Sequence, residues 1–428
     1  MSKFVKVTDK TVTLLTSDDL FSILFLVIGM LKRKKYLDLL ISYKDVKLIK
    51  VITGVRRSGK STLLMQYRDY LLDNKVSDKN IIYMNFESIE WDNIKNYKDL
   101  YKKIKDNYKN EKLYILLDEI QNIDKWEKAV NSFLVDIDCD IYITGSNAYL
   151  LSSELTTLLA GRVATIKIYP FSFKEYIEIY PFNKETLEEK FNEYMLHGSM
   201  PMLINMNKDE KLIINYLSDI KDVVLKKDVI ERNKIKDIGL LENLLKYMAS
   251  TIGTLITPNS IAEYLIKNGY NTHNETIDAY LKMLENAFII YRSPRYNVHG
   301  KQLLKTQGKY YFVDLGIRNI LNGFTQYDSG SAYENIVYLE LLRRGFDVYI
   351  GKYNETEIDF IAIKPEETIY YQVSRSILDE TVEEREKNSL LSIKDNYPKI
   401  ILTRDIIKNK TIEGIKVVNI IDFLLEEK

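Results

Sequence analysis

The chain of 428 residues contains a single cysteine, Cys139. One cysteine excludes an intramolecular disulfide and any metal site built from several cysteines. Such sparse cysteine usage is typical of a reducing compartment, so we predict a cytoplasmic protein. Cys139 comes just before a predicted strand, and we interpret it as a small core residue rather than a reactive thiol.

The sequence also lacks net charge, because 61 lysine and arginine residues balance 61 aspartate and glutamate residues. A neutral chain has no overall attraction to nucleic acid, so any DNA contact would depend on a local basic patch. With 46% hydrophobic and 29% charged residues, the composition is that of a globular protein. The length is enough for about three domains.

The apolar segment 20–30 is too short for a membrane helix, which needs about 20 residues. Acidic residues precede it and the basic residues 32–35 follow it, the reverse of the order in a secretory signal. A membrane-associated segment is one interpretation. We favour another, in which residues 1–29 are an extension outside the fold and the protein has no membrane partner. The folded protein would then begin near Met30.

The strongest motif is a glycine-containing stretch, residues 54–62, between an apolar run and a run with helical periodicity. Strand, G-x-x-x-x-G-K-S pattern and helix together are typical of a P-loop, whose backbone N–H groups surround phosphate oxygens. Lys60 would reach the β- and γ-phosphates, and the Ser61 hydroxyl would bind Mg²⁺. We predict that the whole stretch binds nucleotide: Gly54, Val55, Arg56, Arg57, Ser58, Gly59, Lys60, Ser61 and Thr62.

From residue 30 to residue 205, strand-like runs alternate with helical stretches, which predicts an α/β fold with a parallel sheet. The expected strands are 48–53, 81–86, 113–117, 141–144 and 163–168. Parallel sheets bind ligands at the carboxyl ends of their strands. The polar motifs of this chain follow the predicted strands, so we expect them at that edge.

One of these motifs is the apolar run 113–117, which is followed by Asp118 and Glu119. A buried strand that ends in two acidic residues is typical of a Walker B element. Asp118 would hold Mg²⁺ directly or through water, and Glu119 would orient and polarise the attacking water. The alternative, a strand ending in a solvated acidic pair, is weakened by the P-loop upstream.

Three other polar residues are candidates for the same site. Ser146 and Asn147 follow the fourth predicted strand, and one of them would contact the γ-phosphate or the attacking water as a sensor. The alternative there is a turn built from Gly, Ser and Asn. Arg162 precedes the fifth strand; it would be an arginine finger for a neighbouring subunit, a phosphate contact within its own chain, or part of a structural ion pair.

Together with the segment 170–175, Pro-Phe-Ser-Phe-Lys-Glu, these motifs resemble those of prokaryotic AAA-like ATPases that carry a C-terminal domain of unknown function. The resemblance covers about residues 30–428, and its P-loop and Walker B positions match without departure. It implies an ASCE-type P-loop core over residues 30–205 that binds ATP with Mg²⁺ and hydrolyses it. Residues 206–237 would be a helical lid or connector.

Residues 238–313 contain three helical stretches and two apolar runs around a basic linker, which predicts a winged helix-turn-helix. Its third helix would enter a DNA major groove, and its wing would contact phosphates. The third helix, 274–286, has no net positive charge, so the wing is the stronger candidate for DNA binding. A protein-interaction or spacer role is the alternative.

Residues 314–428 return to α/β alternation in the order of a PD-(D/E)xK nuclease core, with Glu334, Asp359 and Gln372 at its site. Active members use two carboxylates to bind Mg²⁺ and a lysine to polarise water. In this chain Gln372 replaces the second acid and Ser374 replaces the lysine. We therefore expect a degenerate nuclease-like domain that does not cleave.

The sequence thus predicts an ATPase that acts as a nucleotide-driven switch or motor, with double-stranded DNA as its candidate partner through the winged helix. One alternative is a slow nucleotide-dependent regulator that binds a protein partner, and another is an ATP-controlled nuclease. Self-association through Arg162 would be a further contact.

Overall fold

A computed structural model of the chain describes residues 5–8, 11–14, 32–151, 157–159, 161–179, 185–206, 208–300, 302–324, 329–407 and 410–426. The first two strands, β1 (Val5–Thr8) and β2 (Thr11–Leu14), form an antiparallel pair that joins neither of the two larger sheets. The rest of the predicted extension, residues 1–29, lies outside the described residues.

The first half of the chain forms the parallel sheet that the alternation predicts. Its strands are β3 (Ile49–Thr53), β4 (Ile81–Asn85), β5 (Leu113–Asp118), β6 (Cys139–Gly145) and β7 (Val163–Lys167). Its helices are α1 (Lys34–Ser42), α2 (Lys60–Asp73), α3 (Tyr97–Asn107) and α4 (Trp126–Asp136). The strand order is β4-β5-β6-β3-β7, so β6 lies between β3 and β5.

Helices cover both faces of this sheet, which explains why its strands are apolar along most of their length. Along β3, Val51 shares a core with Phe133 of α4, whereas Ile52 shares a core with Tyr67 of α2. Successive residues of a strand point to opposite faces, and all four side chains are fully buried. Cys139 opens β6 half-buried, and burial raises the pKa of its thiol to about 12.

An ion pair between Lys50 of β3 and Asp140 of β6 is buried within this sheet. The Lys50 ammonium also donates to the carbonyl oxygen of Val46 at 2.6 Å. Asp140 accepts from the backbone N–H of Asp45 at 2.8 Å and from the Tyr142 hydroxyl at 3.2 Å. Two buried charges are tolerated here because they neutralise each other and their hydrogen-bonding positions are filled.

A helical segment connects this sheet to the second half of the chain. Its helices are α5 (Phe173–Ile179), α6 (Leu187–His197) and α7 (Glu210–Val223), and α7 continues as a π-helix over Val224–Glu231. Three helices follow, α8 (Ile238–Ser250), α9 (Pro258–Lys267) and α10 (Asn274–Asn286). The sequence predicts these three, and Thr257 caps α9 with Pro258 in its first turn.

The two apolar runs predicted as a wing form the antiparallel hairpin of β8 (Ile290–Asn297) and β9 (Gln302–Phe312). Ile256, before α9, forms a bridge with Gly308 of β9. The hairpin is not a free wing, however, because β8 also pairs in parallel with the next strand of the chain, which begins at Asp347. The domain boundary expected between 313 and 314 therefore falls inside one continuous sheet.

The remaining elements complete that sheet. The helices are α11 (Leu315–Leu321), α12 (Ser329–Arg343), α13 (Glu380–Leu391) and α14 (Ile420–Leu425). The strands are β10 (Asp347–Tyr353), β11 (Thr356–Lys364), β12 (Glu367–Ser374), β13 (Lys399–Thr403), β14 (Thr411–Ile412) and β15 (Ile415–Asn419). The order is β14-β15-β13-β12-β11-β10-β8-β9, eight strands in all.

One apolar core joins the two halves. It runs from Val55, next to β3, through Leu225 and Leu245 to Ile336 of α12. Ser199 adds a polar contact, because its backbone N–H donates to the buried carboxylate of Asp314 at 2.6 Å. Within the described part of the chain, no helix combines the length and the apolar character that crossing a bilayer requires.

The buried ion pair gives a first prediction. Lys50→Met should lower the free energy of unfolding by about 3–5 kcal/mol, because Asp140 would remain buried without its counter-charge. Chemical denaturation measures this change. The control is Lys282→Met, which removes the exposed pair with Asp278 and should cost at most about 1 kcal/mol. Equal effects of the two substitutions would contradict the importance given to the buried pair.

Candidate nucleotide-binding site

Three polar segments meet at one edge of the five-stranded sheet. The stretch 54–62 follows β3, Asp118 and Glu119 stand at the end of β5, and Ser146 and Asn147 follow β6. Because β5, β6 and β3 are neighbours and parallel, their carboxyl ends lie side by side. The structure thus brings together the predicted P-loop, Walker B and sensor residues.

The glycines of the stretch 54–62 are required by close contacts and by backbone geometry. A Cβ on Gly54 would lie 2.2 Å from the carbonyl oxygen of Ile168, so the loop passes too close to the chain after β7 for any side chain. Gly59, the N-cap residue directly before α2, has a φ of +95°, a left-handed conformation that glycine adopts without strain. The loop therefore ends with the N–H groups of a helix N-terminus available for an anion.

Lys60 is buried inside this loop. Its ammonium donates to the carbonyl oxygens of Gly54 and Val55, at 3.1 and 3.2 Å, and lies 3.7 Å from the carboxylate of Glu119. Burial lowers the pKa of Lys60, while Glu119 and Asp118 raise it. A buried cation with nearby acids and a polar loop around it fits the negative charge of a triphosphate.

Asp118 lies at the centre of an oxygen-rich group. It accepts hydrogen bonds from the hydroxyls of Thr144 and Ser61, and from the Tyr83 hydroxyl at 3.2 Å. Burial raises the pKa of Asp118, while these hydroxyls lower it. A carboxylate with hydroxyl neighbours is the type of donor set that Mg²⁺ prefers, so Asp118 and Ser61 fit the predicted ion. Thr144 directly precedes the Gly-Ser-Asn turn, but no sequence motif indicates its contact with Asp118.

Glu119 adopts a left-handed backbone conformation, with a φ of 53°. Its N–H donates to the Thr144 hydroxyl at 2.9 Å, and its carboxylate accepts from the Gln121 amide. Burial raises the pKa of Glu119, but Lys60 and Gln121 lower it more, so the pKa lies below its usual range. A strained acid that is held ionised beside the P-loop is suited to accept a proton from water.

Ser146 connects the site to a residue that the sequence analysis does not identify. Its hydroxyl donates to the carboxylate of Asp228 at 3.3 Å, and Asp228 also accepts from Arg56 of the P-loop. Asn147 is buried beside it. Asp228 lies in the π-helix far along the chain, within a charged stretch that gives no local signal for this contact.

Arg33 is a second residue of the site that the motifs do not indicate. Its guanidinium donates to the carbonyl oxygen of Ser58 in the P-loop at 3.1 Å and to that of Tyr169 at 2.9 Å. It also forms a two-pronged ion pair with Glu175, at 2.8 and 2.9 Å. The conspicuous segment 170–175 therefore supplies the counter-charge of an arginine that supports the P-loop.

Arg162 lies elsewhere. It immediately precedes β7, whose first residue, Val163, pairs with Ile49 at the start of β3. The P-loop follows the other end of β3, about 16 Å away for five residues of strand. The backbone of Arg162 and the P-loop therefore lie at opposite edges of the sheet, a separation that disfavours a phosphate contact of Arg162 within its own chain. The role of arginine finger for a neighbouring subunit stays a prediction.

The residues of the predicted nuclease-like site lie close together, and a lysine lies among them. The Lys309 ammonium of β9 lies 3.1 Å from Glu334, 2.9 Å from Glu357 and 3.5 Å from Asp359. Gln372 accepts from the N–H of Asp359 at 3.3 Å. The lysine of this cluster therefore comes from the β8–β9 hairpin, whereas Ser374 lies at the end of β12. Among the residues described, no group of three or more acidic, His or Cys side chains is arranged to hold a metal ion.

The fold and this site define the first half of the chain as an AAA-type P-loop domain of the nucleotide-binding ATPase class. Residues 46–177 match the family described as AAA domain, and residues 188–328 match a domain of unknown function, DUF8612.

Two relatives extend this likeness to most of the chain. An uncharacterised protein of Haemophilus influenzae is 43% identical over 402 residues, which are 93% of this chain and 99% of that protein. The uncharacterised protein MJ1544 of Methanocaldococcus jannaschii is 33% identical over 356 residues, 79% of this chain and 77% of that protein. The chain therefore belongs to the protein family of these two relatives.

Among solved structures, the Walker-type ATPase PABY2304 of Pyrococcus abyssi covers 68% of this chain and 96% of its own length. The TM-score is 0.49, with 14% sequence identity.

Lys309 and the three carboxylates around it give a prediction about how the stability of the protein depends on pH. Burial and the neighbouring Asp359 raise the pKa of Glu334 to about 8, while Lys309 and the Tyr311 hydroxyl lower it. The unfolded chain has a lower pKa for this group, about 4.3. The folded state therefore binds the extra proton between these values, and stability should fall as the pH rises from about 4.3 to about 8.

Glu334→Gln should remove this part of the pH dependence, which denaturation at pH 5, 7 and 9 would measure. Glu366→Gln, at an exposed position between β11 and β12, is the control and should leave the pH profile unchanged. A profile of Glu334→Gln that parallels the wild type would contradict the raised pKa.

Proposed function

We propose that this chain is a magnesium-dependent ATPase that acts as a nucleotide-driven switch for its own C-terminal half. The observation that carries the proposal is the convergence of Lys60, Asp118 and Glu119 at the carboxyl edge of the sheet. Each of these buried charged side chains lies close to another one. Clusters of buried charges of this kind occur mainly at functional sites, where they bind a polar ligand or take part in a reaction.

The P-loop would bind the triphosphate. Its backbone N–H groups and Lys60 would contact the β- and γ-phosphates, and Arg33 would hold the loop in place from behind. Ser61 and Asp118 would hold the magnesium ion. When bound, that ion neutralises phosphate charge that develops during transfer.

Glu119 would act as the general base. Its carboxylate is ionised at neutral pH and lies beside the P-loop, so it can accept a proton. As the oxygen of water bonds to the γ-phosphorus, the proton of that water would pass to Glu119, and the bond from the phosphorus to ADP would break. Thr144 and Gln121 would orient the carboxylate through their hydrogen bonds to residue 119.

For the C-terminal half we favour binding of a protein partner over binding of DNA. On α10, Lys282 is paired with Asp278 at 2.7 Å, which leaves little positive charge for a major groove. In the hairpin, Arg295 donates to Gln307 and lies 3.9 Å from Glu357. Pairing of β8 with β10 also restricts the hairpin as a phosphate-binding wing.

Substitution of the proposed base tests the ATPase. Glu119→Gln should lower kcat by about 10²–10⁴-fold while nucleotide binding persists, because the base is lost but the P-loop is not. Lys60→Ala should instead abolish binding, measured with a fluorescent ATP analogue. The control is Glu111→Gln, at an exposed position two residues before β5, and this variant should retain activity. Normal hydrolysis by Glu119→Gln would refute the assignment.

DNA tests the choice of partner. Double-stranded DNA at low salt, where phosphate contacts are strongest, should change ATP turnover by less than about twofold. A larger, salt-sensitive stimulation would contradict the protein-partner proposal and favour action on DNA. The same DNA incubated with Mg²⁺ or Mn²⁺ should stay intact, and cleavage that Asp359→Ala abolishes would support an ATP-controlled nuclease instead.

A further inference from the structure

Asp228 is a buried carboxylate at the nucleotide site, supplied by the helical connector. Its side chain is almost fully buried. Arg56 of the P-loop donates to it twice, from Nε at 3.0 Å and from Nη2 at 3.3 Å, and Ser146 donates at 3.3 Å. A paired arrangement of this kind fixes the planar guanidinium in one orientation.

The helix that carries Asp228 departs from α-helical geometry at this point. The chain is α-helical over Glu210–Val223 and π-helical over Val224–Glu231. A π-helical turn inside an α-helix is rare and is frequently found at functional sites. The same helix leads within a few residues into α8, so it connects the nucleotide site to the C-terminal half.

A second contact ties the P-loop to this helix. The side chain of Val55, next to Arg56, is fully buried in the core that contains Val224 and Leu225. Two neighbouring residues of the loop thus contact the same helix in different ways, Val55 through apolar packing and Arg56 through an ion pair. A displacement of the P-loop would therefore also displace the helix.

Ser146 connects Asp228 to the proposed general base. Its hydroxyl lies within hydrogen-bonding reach of both carboxylates, Asp228 and Glu119. A serine hydroxyl has one proton to donate, so it serves one carboxylate at a time. Arg56 is held by the same carboxylate, because it donates to Asp228 through two nitrogens. Whether Asp228 accepts the hydrogen bond of Ser146 therefore determines whether that hydroxyl can donate to Glu119.

We infer that Asp228 is a positioning residue for the proposed ATPase: it orients Arg56 and Ser146 beside Glu119, and it makes turnover depend on the position of the connector helix. This inference rests on the proposed function. Because Asp228 lies on the connector helix, a shift of that helix would move Arg56 and Ser146 relative to Glu119.

Asp228→Asn tests this role, since asparagine keeps the size of the side chain and removes its charge. We expect kcat to fall by between about tenfold and a hundredfold, because Arg56 and Ser146 lose their orientation. The KM for ATP should stay equal or fall, because a negative charge close to the nucleotide site is removed. Asp228→Glu should recover part of kcat. Asp222→Asn, an exposed acid on the same connector helix, is the matched control and should behave as wild type.

Arg56→Gln removes the same pair from its partly exposed side, and it keeps the test valid if Asp228→Asn does not fold. It should lower kcat in the same range as Asp228→Asn. The double variant should be no slower than the slower single variant, because both substitutions break the pair of Arg56 with Asp228, while Arg56→Gln alone already removes the contact of Arg56 with Glu87. Thermal melting of every variant separates loss of stability from loss of turnover.

Three results would overturn the inference. The first is a kcat of Asp228→Asn within about twofold of wild type, whatever its melting temperature. The second is activity that falls only in proportion to the unfolded fraction, and the third is effects of the two substitutions that simply multiply in the double variant. If the wild type neither binds nor hydrolyses ATP, the proposed function itself fails, and the wild-type assay reveals this before any variant is compared.

Discussion

The parallel pairing of β5, β6 and β3 is the constraint on which the rest of the site depends. Because these strands run in one direction, the P-loop, the acidic pair and the Ser146 turn leave the sheet at one edge. The register is equally important: Thr53 pairs with Gly145, so the P-loop begins directly beside the turn that carries Ser146. A sheet of mixed direction would have separated these residues by the length of a strand.

The buried charges at this edge of the sheet compensate one another. Lys60, Asp118, Glu119 and Asp228 are all buried, and each is held by an opposite charge or by hydroxyl donors. Removing one charge would leave its neighbour uncompensated in a medium that solvates it poorly. The site is therefore a connected network, in which Ser146 and Arg56 extend the influence of the P-loop to the connector helix.

The C-terminal sheet illustrates how one lysine changes the character of a carboxylate cluster. Lys309 stands among Glu334, Glu357 and Asp359, and it occupies the centre towards which these acids point. The Lys309 ammonium neutralises these carboxylates, a role that a bound metal ion has in a metal site. The hairpin that carries Lys309 can reach this position only because β8 joins the sheet through β10.

Patterns within short segments of the sequence determined much of this protein. Helical and strand periodicity predicted the five-stranded parallel sheet, and the stretch 54–62 with Asp118 and Glu119 predicted the class of P-loop ATPase domain. These signals are reliable because a strand, a phosphate-binding loop and a helix follow one another along the chain. Their geometry depends on neighbouring residues, which a sequence displays directly.

Only the tertiary structure decided which distant residues complete the site. Arg33 and Glu175 are 142 residues apart, and Arg56 and Asp228 are 172 residues apart, so no periodicity relates them. The placement of Arg162 at the opposite edge and the pairing of β8 with β10 are equally non-local. Such contacts depend on how whole helices and strands pack against one another. That packing is driven by the burial of apolar surface, which is distributed over the entire chain.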